Sequence, residues 1–177
     1  MALPAHAQSL SVLNQYIENP ALRHHCEMVA AAMHAYACKN AQDVELWCQT
    51  GLLHDLDYEL FPEQHPLKAV NDLLADYPDE LKRAVLAHGP EITGVEPESM
   101  MERYLFACDE ISGFLYAYAL MRPDGFEGMK AGKAIKKLED LNFAAKVSRQ
   151  DIMKGFDLIP ESPQEHVQFL IQTFSTM

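Results

Sequence analysis

Apolar side chains recur with the α-helical period along almost the whole chain. Between residues 20 and 38, Leu22, Cys26, Val29, Met33 and Tyr36 follow one another at three- or four-residue steps, which lines them along one helical stripe. Sustained two-residue alternation, the signature of a half-buried strand, is absent. The same period predicts helices over residues 9–17, 20–38, 41–53, 66–76, 79–87, 98–121, 130–141, 144–156 and 162–176. Asn19-Pro20 offers an N-cap followed by proline at the first helical position, and Asp79 and Ser162 are further caps. Three stretches break the pattern: 56–65, 89–97 and 122–132, the last holding Pro123, Gly125, Gly128 and Gly132. The expected fold is all-α, a single-domain bundle of about eight or nine helices.

Periodicity also tells which polar residues face inward. His25 lies three residues after Leu22 and four before Val29, on the apolar stripe, whereas His24 points about 100° away and should be exposed. In 41–53, Val44, Trp47, Cys48 and Gly51 form the inward face, and His54 and Asp55 continue it. Leu81, Ala84 and Val85 lead at helical spacing to His88. In 98–121, Asp109 falls on the face marked by Met101, Leu105, Cys108, Ser112 and Tyr116. An isolated buried Asp is costly when ionised, and a lone inward His is usually a hydrogen-bonded core residue. Several such groups on facing helices change that balance, because one cation stabilises all of them. Imidazole with carboxylate suits Zn, Fe, Mn, Co or Ni better than Ca or Mg. No inward cysteines stand at matching spacing, which argues against a structural zinc knot. The irregular stretches after Asp55 and after His88 are placed to shape the mouth of a pocket.

Composition narrows the function. The chain has 177 residues, enough to bury a sizeable core, and a net charge of −12. That charge excludes broad binding to nucleic-acid backbones, which needs a basic surface. No apolar run reaches the length of a membrane span, and residues 1–8 have no basic start followed by an apolar stretch, so neither a membrane anchor nor a secretory signal is expected. Cys26, Cys38, Cys48 and Cys108 form no C-x-x-C pair. They are expected to be reduced, buried residues of a cytoplasmic protein.

The ordered set of His25 in Leu22-Arg23-His24-His25, His54-Asp55 in Gly51-Leu52-Leu53-His54-Asp55, and Asp109 in Ala107-Cys108-Asp109-Glu110 resembles the HD-domain superfamily of metal-dependent phosphohydrolases. The resemblance spans residues 20–120, and residues 122–177 then read as a C-terminal helical extension packing on that core. It implies a divalent transition metal held by His25, His54, Asp55 and Asp109. His65 and His88 resemble the histidines of two-metal members, with Asp55 bridging; the alternatives are that His65 caps its helix and that His88 contacts substrate. Members with a His-Asp-Ile-Gly-Lys form carry a phosphate-binding lysine where this chain has Tyr58, so that role does not transfer. The Gly-Tyr-Pro motif of the branch that cleaves cyclic dinucleotides is missing.

The implied activity is hydrolysis of a small phosphorylated metabolite or nucleotide through a metal-activated water. Asp57 and Glu59 are acid or base candidates, against a reading as solvated loop carboxylates. Residues 122–149 hold a local excess of positive charge in an acidic chain. Arg122, Lys133 and Lys137 there, and Lys68 near His65, are candidate phosphate contacts, against a reading as helix-surface charges. Two other classes compete: a di-iron oxygenase of the same superfamily, and a non-catalytic nucleotide-binding regulatory module.

Overall fold

Capping side chains set several helix starts, although Asp79, an expected cap, is itself the first residue of its helix and the cap position is Pro78, which makes no side-chain cap bond. The Asn19 side chain accepts from the amides of Ala21 and Leu22, and Pro20 takes the first helical position, where a missing N–H costs nothing. Asp43 takes the amide of Leu46, Ser148 that of Asp151, and Ser162 forms a reciprocal capping box with Glu165. The computed structural model describes residues 1–177. Its α-helices are α1 (His6–Tyr16), α2 (Pro20–Lys39), α3 (Val44–Leu53), α4 (Asp79–Ala87), α5 (Pro90–Thr93), α6 (Met100–Leu120), α7 (Ala131–Lys137), α8 (Arg149–Leu158) and α9 (Pro163–Phe174). There is no strand, so the fold is all-α. No helix is long and apolar enough to cross a membrane.

Several boundaries differ from expectation for local reasons. Segment 41–53 becomes helical only at Val44, because Ala41 has φ 53 and Asp43 caps the start. Segment 144–156 likewise begins late, with Ala144 at φ 44 and Ser148 as the cap. Segment 66–76 forms no full α-helix; its regular part is a π-helical turn, Ala69–Leu73, closed by Leu74 N–H donating to the Ala69 carbonyl. Stretch 89–97, expected to be irregular, holds the short α5, which starts with Pro90 and stops at Gly94 in the left-handed region (φ 71).

The chain forms two units, Met1–Leu105 and Phe106–Met177, with the division inside α6. In the first, Leu13, Ile17, Cys26, Leu52, Leu53, Leu56, Leu81 and Val85 belong to one buried apolar cluster. Each fully buried leucine contributes roughly 1.5–3 kcal/mol. α2 and α3 approach backbone to backbone: a Cβ on Gly51 would lie 2.8 Å from the Val29 carbonyl oxygen and 2.9 Å from the Ala30 Cα. Glycine at this position brings the last turn of α3, and the residues after it, close against α2. Arg83 of α4 forms an ion pair with Glu102 at the start of α6. Burial alone would push the Glu102 carboxyl up, but the Arg83 guanidinium and the amides of Glu98 and Ser99 outweigh it and hold the carboxyl below its usual value.

In the second unit, Gly155 of α8 lets the Ala107 backbone approach, and the buried His166 ring places Nε2 3.0 Å from the Ala107 carbonyl oxygen. The Arg149 guanidinium donates to the carbonyls of Phe143, Ala144 and Val147 and lies over the Phe114 ring, which holds the 140–148 segment at the start of α8. All four cysteines are free thiols, but only Cys26 and Cys108 are buried as expected. Cys48 is partly exposed, with its thiol pushed up to about 11 by burial and then by Glu45. Cys38, on the outer side of the last turns of α2, is exposed.

Replacing Gly51 with alanine tests the α2–α3 contact. Alanine gains about 1 kcal/mol of helix propensity, but a methyl pressed against backbone costs up to roughly 3 kcal/mol. Urea unfolding of Gly51→Ala should show a net loss of about 2 kcal/mol; unchanged or raised stability would contradict the close approach.

Candidate metal centre

The first unit carries four histidines with a shared orientation, three of them at helix ends or in loops. His54 is the C-cap of α3 and fully buried. Its Nδ1 lies 2.7 Å from the Gly51 carbonyl oxygen, three residues back. A carbonyl only accepts, so Nδ1 carries a proton, and in the neutral ring Nε2 keeps the lone pair. His88, the C-cap of α4, repeats the arrangement: its Nδ1 donates to the Val85 carbonyl at 2.5 Å. His65, which follows the short 3-10 turn Pro62–Gln64, directs Nδ1 at Asp57 Oδ1, 2.7 Å away. The other Asp57 oxygen accepts the Ala69 amide at 2.7 Å.

With their Nδ1 atoms anchored outward, these rings aim Nε2 at Asp55. One Asp55 oxygen lies 3.5 Å from His54 Nε2 and 3.7 Å from His25 Nε2. The other lies 3.5 Å from His65 Nε2 and 3.7 Å from His88 Nε2. The Nε2 atoms are 3.3 Å apart in the His25–His54 pair and 3.1 Å apart in the His65–His88 pair. A single carboxylate therefore stands between two imidazole pairs.

The donor set fits a cation. Bare imidazole nitrogens repel at about 3 Å unless positive charge lies beside them. Donors about 2.0–2.2 Å from one ion, at tetrahedral or octahedral angles, stand about 3–3.5 Å from each other, matching the spacings within each pair. The ligand atoms of Asp55, His65 and His88 all lie within 4.8 Å of one another. Imidazole with carboxylate is the donor chemistry of divalent transition metals. The outward hydrogen bonds from Nδ1 to carbonyl or carboxylate are those that ligating histidines use to fix tautomer and orientation.

The remaining expected residues divide by location. The His24 side chain is 36% exposed and faces Glu27, whereas His25 is 18% exposed, as the period predicts. Asp57 is fully buried, which rules out a solvated loop carboxylate; both its oxygens are occupied by His65 and Ala69. One Glu59 oxygen accepts the amides of Glu18 and Asn19, tying the loop after the His-Asp pair to the start of α2. Lys68 pairs with Asp72 and stands over the Phe61 ring. Asp109 is on α6, in the second unit, and is partly exposed. Arg122 donates to the carbonyls of Gly125 and Glu127, so it holds its own loop. Lys137 pairs with Asp140 and lies over Phe143, and Lys133 is exposed on α7.

Sequence reasoning missed the anchoring partners. Gly51 and Val85 act through carbonyl oxygens, which no side-chain pattern reports. Asp57 and His65 are eight residues apart in a stretch without a period. Tyr58, exposed where the resembling family has lysine, sets its ring edge-on to His65 at 5.2 Å between centroids. Comparison with protein-family models, curated proteins and solved structures finds no match for this chain.

Glu59 separates a tethering role from proton transfer. Glu59→Gln keeps an acceptor for the two amides, and turnover should stay within a few-fold. Glu59→Ala should cost about 1 kcal/mol in chemical unfolding. A general acid or base would instead lose roughly 10²–10⁴-fold in rate in the glutamine variant, and that result would overturn the tethering role.

Proposed function

We propose that the chain is a cytoplasmic metal-dependent phosphohydrolase of the HD-domain type, acting on a small phosphorylated metabolite or nucleotide. One observation carries this reading: four imidazole Nε2 atoms converge on the two oxygens of Asp55, and three of the rings are fixed by outward hydrogen bonds. In it, His25, His54 and Asp55 hold one ion, with Asp109 assigned as a further ligand by the sequence resemblance. Asp55, His65 and His88 hold a second. A divalent transition metal supplies Lewis acidity toward a phosphoryl oxygen and lowers the pKa of a coordinated water toward neutrality.

The chain's own residues supply orientation. Imidazoles held through Nδ1 need no rearrangement as charge develops, which is the condition under which electrostatic catalysis is strongest. Lys68 follows His65 by three residues. Its ion pair with Asp72 is solvent-accessible, so it is worth no more than about 1 kcal/mol. Exchanging that partner for a phosphoryl oxygen therefore costs little.

A second reading, oxygenation at a di-iron centre, draws on the same bridging position of Asp55. Two irons per chain with a mixed-valence EPR signal would favour it. Nucleotide binding without turnover on any phosphate ester would instead favour a regulatory module.

The test is metal content and phosphatase turnover measured together in His54→Ala and Asp55→Ala. Loss of a residue that only supports a ligand typically costs 10–100-fold, so loss of a ligand should cost more than about 100-fold. Asp55→Ala should lose more metal than His54→Ala, because its carboxylate serves both pairs. Unchanged metal content in both variants would sink the assignment.

A further inference from the structure

Asp57 does two jobs with one carboxylate. Oδ2 accepts the Ala69 amide, at the start of the π-helical turn, where no intrahelical acceptor is available. Oδ1 faces His65 Nδ1 at 2.7 Å. Both oxygens are buried, and an ionised carboxylate has only acceptor oxygens, so opposite it His65 Nδ1 is the donor. We propose that Asp57 is a positioning residue: it keeps the His65 proton on Nδ1, so that Nε2 faces Asp55 and His88 as a bare lone pair.

The rest of the cluster makes this choice decisive. His88 Nδ1 donates to the Val85 carbonyl, so His88 Nε2 is also bare, 3.1 Å from His65 Nε2. If the His65 proton moved to Nε2, it would donate straight to His88 Nε2. A histidine–histidine hydrogen bond would then occupy the space in which both nitrogens serve as ligands. Asp57 thus decides whether this half of the cluster binds a cation or closes on itself. The His25–His54 half, where His54 is fixed by Gly51, is untouched by that choice.

Asp57→Asn separates the two states with almost no change in shape. The Ala69 amide can only donate, so it retains the asparagine oxygen. The asparagine NH₂ then faces His65 Nδ1, which becomes an acceptor, and the ring proton shifts to Nε2. No bond other than N–H is made or broken. The inference rests on the metal reading for its consequence, but its first readout does not need a metal.

The experiment is ¹⁵N NMR of the histidine rings in the full chain stripped of metal, with His65→Gln identifying the signal. In the native protein His65 should carry its proton on Nδ1, and in Asp57→Asn on Nε2. Cobalt titration of the same two proteins should then show the ion at Asp55, His65 and His88 bound about 10–100-fold more weakly in Asp57→Asn, with the other ion retained. A native His65 protonated on Nε2 overturns the proposal even if the variant fails to fold, and so does an unchanged tautomer in a folded variant. A shifted tautomer with no cobalt bound by either protein upholds the positioning role and instead overturns the metal function.

Discussion

Four imidazole nitrogens cannot surround a partly buried carboxylate without a rule about where each proton sits. Three of the rings here obey one rule: the proton is on the outer nitrogen, given to an acceptor the backbone or Asp57 supplies. The inner nitrogens of the neutral rings are then bare, and a cation beside Asp55 would relieve their mutual repulsion. Each outward bond is an ordinary hydrogen bond worth about 1 kcal/mol net, yet together they decide the chemistry of the cluster.

Helix ends are what make the rule possible. The last turns of α3 and α4 leave carbonyls without intrahelical donors, and His54 and His88 satisfy those of Gly51 and Val85 with their own side chains. The same contact that finishes the helix therefore aims the ring. The backbone contact at Gly51 brings α3 onto α2, which carries His25, and Arg83 with Glu102 fixes α4, which carries His88. Glu59 closes the loop from the other side by holding the amides that precede α2.

Much of this was legible in the sequence because helices repeat. The 3.6-residue period gave the all-α fold, put His25 inward and His24 outward, and set His54, Asp55 and His88 at the inner ends of apolar stripes. The loops were opaque for the matching reason. Nothing periodic links Asp57 to His65, or Glu59 to Asn19, and both carboxylates looked available for proton transfer. Residues 66–76 have an apolar pattern that suits a helix, but their backbone closes into a π-helical turn whose first amide is satisfied by Asp57. The basic residues of the second unit were visible as a charge excess. Their local contacts, such as Arg122 on its own loop carbonyls, were not.

The central claim is that the two imidazole pairs flanking Asp55 are cation-binding halves of one centre. It is tested most directly by anomalous diffraction from crystals of the full chain grown with manganese or cobalt. Two anomalous peaks are expected, one beside His25 and His54 and one beside His65 and His88, with Asp55 between them. Metal-loaded crystals with no peak at either pair, and the four rings still in place, would contradict the account.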